Sequence, residues 1–308
     1  FRIAALKDPT AMCLVELMSL SDTANEMMEG KENVVSTGNT YEFTLAGSAD
    51  EVTPSLMKGD LDIACVPANL ASVLYNKTGG NVQLAALNTL GVLYVVENGD
   101  TVHSMADLAG QTLYATGKGS TPEYALNYVL EANGLTPGQD LQVEYKTEHA
   151  ELATLLASGQ ATLALLPQPF VTSVLTQNPD ARVALDLTEE WNKASDGQSA
   201  LTMGCIVVQK KFAEEHPEAL KRFLEAYEAS VKFTNGADTL ETAAQYAEDF
   251  DILKKAVAVK AIPECNIVFT AGDEMKTIAG GFLQVMYDAN PSSVGGSLPD
   301  DAFYYHAK

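Results

Sequence analysis

Short apolar runs alternate with longer amphipathic stretches along most of this chain. Runs such as "RIAAL", "DIACVP" and "TLALLP" are apolar at nearly every position. That is the pattern of a parallel strand covered on both faces. "YEFTLAG" and "LQVEYKT" alternate instead, as strands covered on one face do. The order of these stretches repeats. "LMKGDLDIACVP", Leu56 to Pro67, and "LASGQATLALLP", Leu156 to Pro167, lie 100 residues apart. Leu56 matches Leu156, Gly59 matches Gly159, Ala64 matches Ala164 and Pro67 matches Pro167. Each unit reads strand, helix, glycine stop, buried strand, proline, helix, with the glycine suited to a helix C-terminus.

A strand–loop–helix precedes each unit: "RIAALKDPTAMCLVELM" in the first and "TLYATGKGSTPEYALNYVL" in the second. Two βαβαβ halves with right-handed crossovers are therefore predicted. Open sheets of this kind bind ligands at the C-terminal ends of their strands, so two facing halves would set six strand-end loops around one cleft. From Leu201 the chain offers the strand "LTMGCIVVQKKF" and then mostly helical stretches, "HPEALKRFLEAYEASVKFT", "TLETAAQYAEDFDI" and "AGDEMKTIAGGFLQVMYDAN". These are too helical for a third sheet domain and should return to the first half. The expected organisation is lobe one from residues 1–97 plus 191–308, with lobe two, 98–190, inserted. The joints fall near Glu97–Ser104 and Leu187–Ser199, both polar or glycine-containing, as hinges are.

The 308 residues are 46% apolar, enough for a large core, and no apolar run approaches the roughly eighteen residues of a membrane span. Net charge is −22, which disfavours nucleic acid and anionic membrane surfaces as partners. Cys13, Cys65, Cys205 and Cys265 are far apart and form no CxxC pair, so buried free thiols are the simpler reading. His103, His149, His216 and His306 lack metal-ligand spacing, and there is no HExxH or GxSxG. Neither a metal nor a cofactor is expected. His149 falls in a predicted strand-end loop, where a surface histidine is the alternative to a site residue. Glu123, Glu148 and Asp186 read as cleft carboxylates or as partners of helix dipoles.

The loop "GKGST", Gly117 to Thr121, has neither Walker spacing nor the third glycine of a dinucleotide fingerprint. It is a helix start with two glycines that let a ligand approach the backbone N–H groups. An ordinary turn is the bland alternative. Tyr94, Tyr124, Phe170 and Trp191 fall near strand ends or joints. Trp191, the only tryptophan, sits in the polar stretch "LTEEWNKAS" and could stack on a planar ligand or cover the hinge.

"VHSMADLAGQTLYATGKGSTPEYALNYVLEANGL" together with "LASGQATLALLPQPFVTSVL" resembles the substrate-binding proteins of ABC importers of the nitrate/sulfonate/taurine/thiamine-precursor type. The resemblance covers nearly the whole chain. It implies an α/β, two-lobed type II periplasmic-binding-protein fold, each lobe a mostly parallel sheet flanked by helices, joined by a two-segment hinge. It implies a monomer that captures a small molecule and hands it to a membrane permease. An exported, lipid-anchored protein is implied too, although the anchoring cysteine is not in this chain. The contact positions carried over are Asp8, Thr10, Met12, Gly47, Ser48, Pro67, Asn69, Tyr94, Gly117, Lys118, Gly119, Ser120, Thr121, His149, Gln168, Phe170 and Trp191. Asp8 and Glu123 weigh against nitrate or a small sulfonate, and the aromatic set favours a planar heterocycle such as a pyrimidine-type vitamin precursor. A small sulfonate-type anion, held by the Thr10, Ser48, Ser120 and Thr121 hydroxyls with Lys118, stays as the other candidate. The rival is an enzyme of the same fold, making the thiamine pyrimidine or acting on an aromatic acid. It would need a cysteine-rich run, absent here, or a pair such as Lys118 and His149. A receptor's sensing domain would need a fused partner.

Overall fold

The computed structural model describes residues 1–28 and 38–306. Its strands are β1 (Arg2–Leu6), β2 (Glu42–Ala46), β3 (Ile63–Pro67), β4 (Val82–Leu90), β5 (Leu93–Asn98), β6 (Thr112–Ala115), β7 (Gln142–Tyr145), β8 (Leu163–Pro167), β9 (Ala181–Asp186), β10 (Thr202–Gln209) and β11 (Ile267–Thr270). They form two sheets, ordered β2-β1-β3-β10-β4-β11 and β7-β6-β8-β5-β9. In the first, β1, β2, β3 and β4 run one way, while β10 and β11 run the other. In the second, only β5 is reversed. Helices flank both sheets.

The internal repeat is present element by element. Helix Ala49–Lys58 corresponds to helix His149–Ala157, and β3 corresponds to β8 at the offset of 100. Gly59 and Gly159 both have positive φ, 80° and 75°, the left-handed geometry in which a side chain would be strained. β3 and β8 are buried almost throughout because each pairs on both sides and is covered on both faces. β2 and β7, at the sheet edges, alternate between exposed and half-buried positions, as their sequences predict.

The first crossing point differs from the sequence expectation, and the second falls at the far end of its expected joint. β5 pairs with β8 and β9, so the chain leaves the first sheet at Gly91–Val92 rather than after residue 97. Helix Leu187–Ala194 packs on helix Thr121–Ala132 and β5, so the return falls after it, before β10. Glu97–Ser104 is instead the end of β5 and the loop leading to a capped 3-10 turn, Met105–Leu108, while Leu187–Ser199 is an amphipathic helix, Leu187–Ala194, followed by residues on the return crossing. β10 and β11 then complete the first sheet, and helices Pro217–Thr234 and Gly272–Ala289 pack on that half.

Trp191 is fully buried rather than presented to a cleft. Its ring lies 4.8 Å from Tyr128 in helix Thr121–Ala132 and 5.6 Å from Phe282 in helix Gly272–Ala289. It therefore joins the halves as core. The polar residues around it in sequence occupy the outer face of an amphipathic helix, which is why its context misled. Deleting this side chain removes a large buried area and leaves a cavity, so Trp191→Ala should lose roughly 3–5 kcal/mol of stability. Urea unfolding of the two proteins checks this. A loss of less than about 1 kcal/mol would return Trp191 to the list of ligand contacts.

Candidate functional site

The strand-end loops of both sheets converge on one cavity of about 320 Å³, a size suited to a small organic molecule. From the first half come Leu6 to Thr10 after β1, Gly47 to Ala49 after β2, Pro67 after β3, Thr89 of β4, and Met203 and Gly204 of β10. From the second come Gly117, Ser120 and Pro122 after β6, Thr147 to Ala150 after β7, and Pro167 and Phe170 after β8. The antiparallel strand β10 enters the cleft with its N-terminal end, because it runs against its neighbours.

Nine expected residues line this cavity: Asp8, Thr10, Gly47, Ser48, Pro67, Gly117, Ser120, His149 and Phe170. The other eight lie elsewhere. Met12 is buried in the core of the first half. Asn69 and Thr121 are also buried, and the Thr121 hydroxyl donates to Asn69 Oδ1 at 2.9 Å across the two halves. Asn69 Nδ2 donates to Ser293 O. Gln168 accepts from the Thr172 N–H and hydroxyl, capping its own helix. Tyr94 borders a separate depression with Asp186 and Glu264. Lys118 is exposed and reaches over the Tyr145 ring, 5.8 Å from its centroid. Gly119 is exposed, and its N–H donates to Glu123 at 2.5 Å. Trp191 is core. Glu148, a candidate cleft carboxylate, also lines the cavity, and Lys7, Met203, Gly204 and Ile252 do so without having been expected there.

Gly117 is the loop glycine that the geometry requires. Its φ is +74°, and a Cβ there would sit 2.7 Å from Pro122 Cγ. Gly204 is needed for space: a Cβ would come within 2.5 Å of Asn88 Oδ1.

Three of the loops around the cavity already hold carboxylates of their own, whereas among the described residues no carboxylate caps the helices that start at Ala68, His149 and Phe170. Glu51 accepts from the Gly47 N–H, the Ser48 N–H and the Ser48 hydroxyl at 3.1, 3.0 and 3.2 Å. Asp8 accepts from the Thr10 N–H at 2.8 Å, and Glu123 accepts from Gly119. Glu123 and Asp186, which caps Thr188 at 2.8 Å, thus serve helix ends. The Ser120 hydroxyl donates to Gly117 O at 2.8 Å, and the Thr10 hydroxyl reaches Leu6 O at 3.5 Å. Lys7 is tied to Asp251 at 2.7 Å.

Two lining groups titrate abnormally. Burial pushes the Asp8 carboxyl up to about 6 and the His149 imidazole down to about 4. His149 is therefore neutral at pH 7. Its Nδ1 lies 2.5 Å from the Thr116 hydroxyl, and its ring lies 5.2 Å from Phe170.

Two sheets of like strand order, with one cavity between their loop ends, define a two-lobed binding protein. Residues 32–257 match the family model described as ABC transporter, phosphonate, periplasmic substrate-binding protein, and the chain belongs to that family. It is the substrate-binding component of an ABC importer, in a family of periplasmic solute-binding proteins and not of enzymes. No protein of curated function matches it by sequence. Among solved structures, an ABC transporter from Parabacteroides distasonis is similar at TM-score 0.77 and 22% identity, covering 100% of this chain and 99% of that one. The periplasmic aliphatic sulphonate binding protein SsuA from Escherichia coli is similar at 0.75 and 15%, covering 100% and 92%. The periplasmic nitrate-binding protein NrtA from Synechocystis is similar at 0.64 and 13%, covering 95% and 83%. These likenesses support the type II binding-protein fold. Among the described residues no helix is long and apolar enough to cross a membrane.

The shifted carboxyl yields a pH test. Asp8 binds its proton near pH 6 when folded and near the ordinary 3.8 when unfolded. Its contribution to stability is fully present below 3.8 and is lost as pH rises through 6. Asp8→Asn stays neutral, so it should exceed the parent by on the order of 1–3 kcal/mol at pH 7.5. That advantage should vanish by about pH 4. His149 has the opposite sign, losing stability as pH falls through 4, but it is common to both proteins and cancels in the difference. Urea titrations at a series of pH values measure this, and a pH-independent difference would contradict it.

Proposed function

We propose that this protein captures a small molecule bearing a planar, neutral or cationic polar group, such as a pyrimidine-type heterocycle, by closing its two lobes over it. One observation carries the reading: at three of the loops around the cavity, the groups that would grip an anion are already engaged. The N–H groups at three loop and helix starts face Glu51, Asp8 and Glu123, and the hydroxyl protons of Ser48 and Ser120 point inward. Asp8 lines the cavity, and Lys7 is paired with Asp251. An anion about 4 Å from an ionised Asp8 would be repelled by about 4 kcal/mol at a partly screened site. That is close to a thousandfold in affinity. A ring with an N–H donor suits Asp8 instead, and Phe170 with the neutral His149 supplies a surface for it. The family model's description names phosphonate, and two of the similar structures are named for sulphonate and nitrate. The carboxylate-filled helix starts turn this member away from such anions. Export, lipid anchoring ahead of this segment and action as a monomer complete the reading.

Native mass spectrometry of gently purified protein, followed by calorimetry, tests the ligand class. The panel is 4-aminopyrimidine and related amino heterocycles against methylphosphonate, ethanesulfonate and nitrate. Heterocycle binding at least tenfold tighter than any anion is expected, with Phe170→Ala and Asp8→Ala each weakening it tenfold or more. Tighter binding of an anion at pH 7.5 would overturn the reading.

A further inference from the structure

We propose that Thr116 is a positioning residue that sets the His149 imidazole as a one-way hydrogen-bond donor, its Nε2–H presented to the cavity, so that the ligand meets the second lobe with an acceptor atom. The proposal rests on the reading of the cleft as a ligand site and adds the polarity of recognition to it.

Thr116 lies just beyond the end of β6, 1% exposed, and its hydroxyl is 2.5 Å from His149 Nδ1. Among the described residues its Oγ1 has no other hydrogen-bond partner. A buried hydroxyl has one proton, and leaving that proton without an acceptor is costly. If Nδ1 carried the imidazole proton, it would donate to Thr116 Oγ1, and the hydroxyl proton would then have nowhere to go. If Thr116 donates, both atoms are satisfied by one bond. The neutral ring must then carry its proton on Nε2. Among the described residues that nitrogen has no protein partner, and it is not among the sealed unpartnered atoms, which are Thr188 Oγ1, Trp191 Nε1 and Ser199 Oγ. His149 lines the cavity, and Nε2 is the ring nitrogen left to face it. Phe170, tilted 38° against the imidazole, limits the ring's rotation. Burial keeps the ring neutral, so the donor does not become a cation at pH 7.

The consequence is a cleft with opposite polarity on its two sides. Asp8 of the first lobe accepts, and His149 of the second donates. A ligand spanning it needs a donor toward Asp8 and an acceptor toward His149. A purely cationic amine lacks the second, and a simple oxyanion lacks the first.

The tautomer can be measured on ligand-free protein. Long-range proton–nitrogen correlation spectra of the ¹⁵N-labelled chain at pH 7.5, with His149→Gln to assign the signal, should show His149 as the single Nε2–H form. Thr116→Val keeps the shape but removes the donor, and the spectrum should become a mixture of both neutral forms. Thr116→Ser should restore the single form. A parent in the Nδ1–H form, or a Thr116→Val spectrum unchanged from the parent, overturns the proposal. Failure of amino heterocycles to bind in the calorimetry above would reject the ligand class and leave this result standing, so the two failures are distinguishable.

Discussion

Two reversed strands hold this architecture together. β10 lies between β3 and β4 in the first sheet, and β5 lies between β8 and β9 in the second. Each follows a crossing between the lobes, and each runs antiparallel to both neighbours. Their backbone groups complete the ladders on both sides, which a buried strand requires. Because the chain re-enters each sheet through its middle, neither crossing can shift without opening a sheet. The remaining strand ends are thereby held facing each other, and the cavity follows.

The contacts that join the lobes are of two kinds. Trp191, Tyr128 and Phe282 form an apolar contact beside the return crossing, and the Thr121–Asn69 hydrogen bond adds a buried polar one. Neither faces the ligand cavity. Three residues expected at the ligand, Asn69, Thr121 and Trp191, therefore join the lobes, and the cavity wall includes small hydroxyls with Lys7, Asp8, Glu148, His149, Phe170, Met203 and Ile252. At three of the loops, N–H groups at or before the helix start are satisfied by the carboxylates of Glu51, Asp8 and Glu123.

Fold legibility came from periodicity. The offset repeat required two equal halves, since Gly59 and Gly159 stop helices at matching places and β3 and β8 are apolar because they are central. The site was legible at the level of loops, because a strand followed by a helix start puts that loop at a known end of the sheet. Single residues were less so. Met12 and Gln168 lie in the right loops, but with their side chains turned to the core and to a helix cap. Lys7, Met203, Gly204 and Ile252 carry no motif, and enter the cavity only because of where their strands or loops end. Nothing in the sequence around Thr116 signals a hydroxyl that pairs with a histidine 33 positions away.

The sequence by itself determined the duplicated βαβαβ halves, the helical character of the last third, the absence of nucleotide and metal motifs, and the loops that meet. These depend on local period and on short-range stops such as glycine and proline, which act along the chain. The tertiary structure decided where the chain crosses, whether Trp191 faces ligand or core, and which carboxylates cap helix starts. It also decided the charge states of Asp8 and His149. Those outcomes depend on burial and on partners distant in sequence, because desolvation and hydrogen bonding act through space.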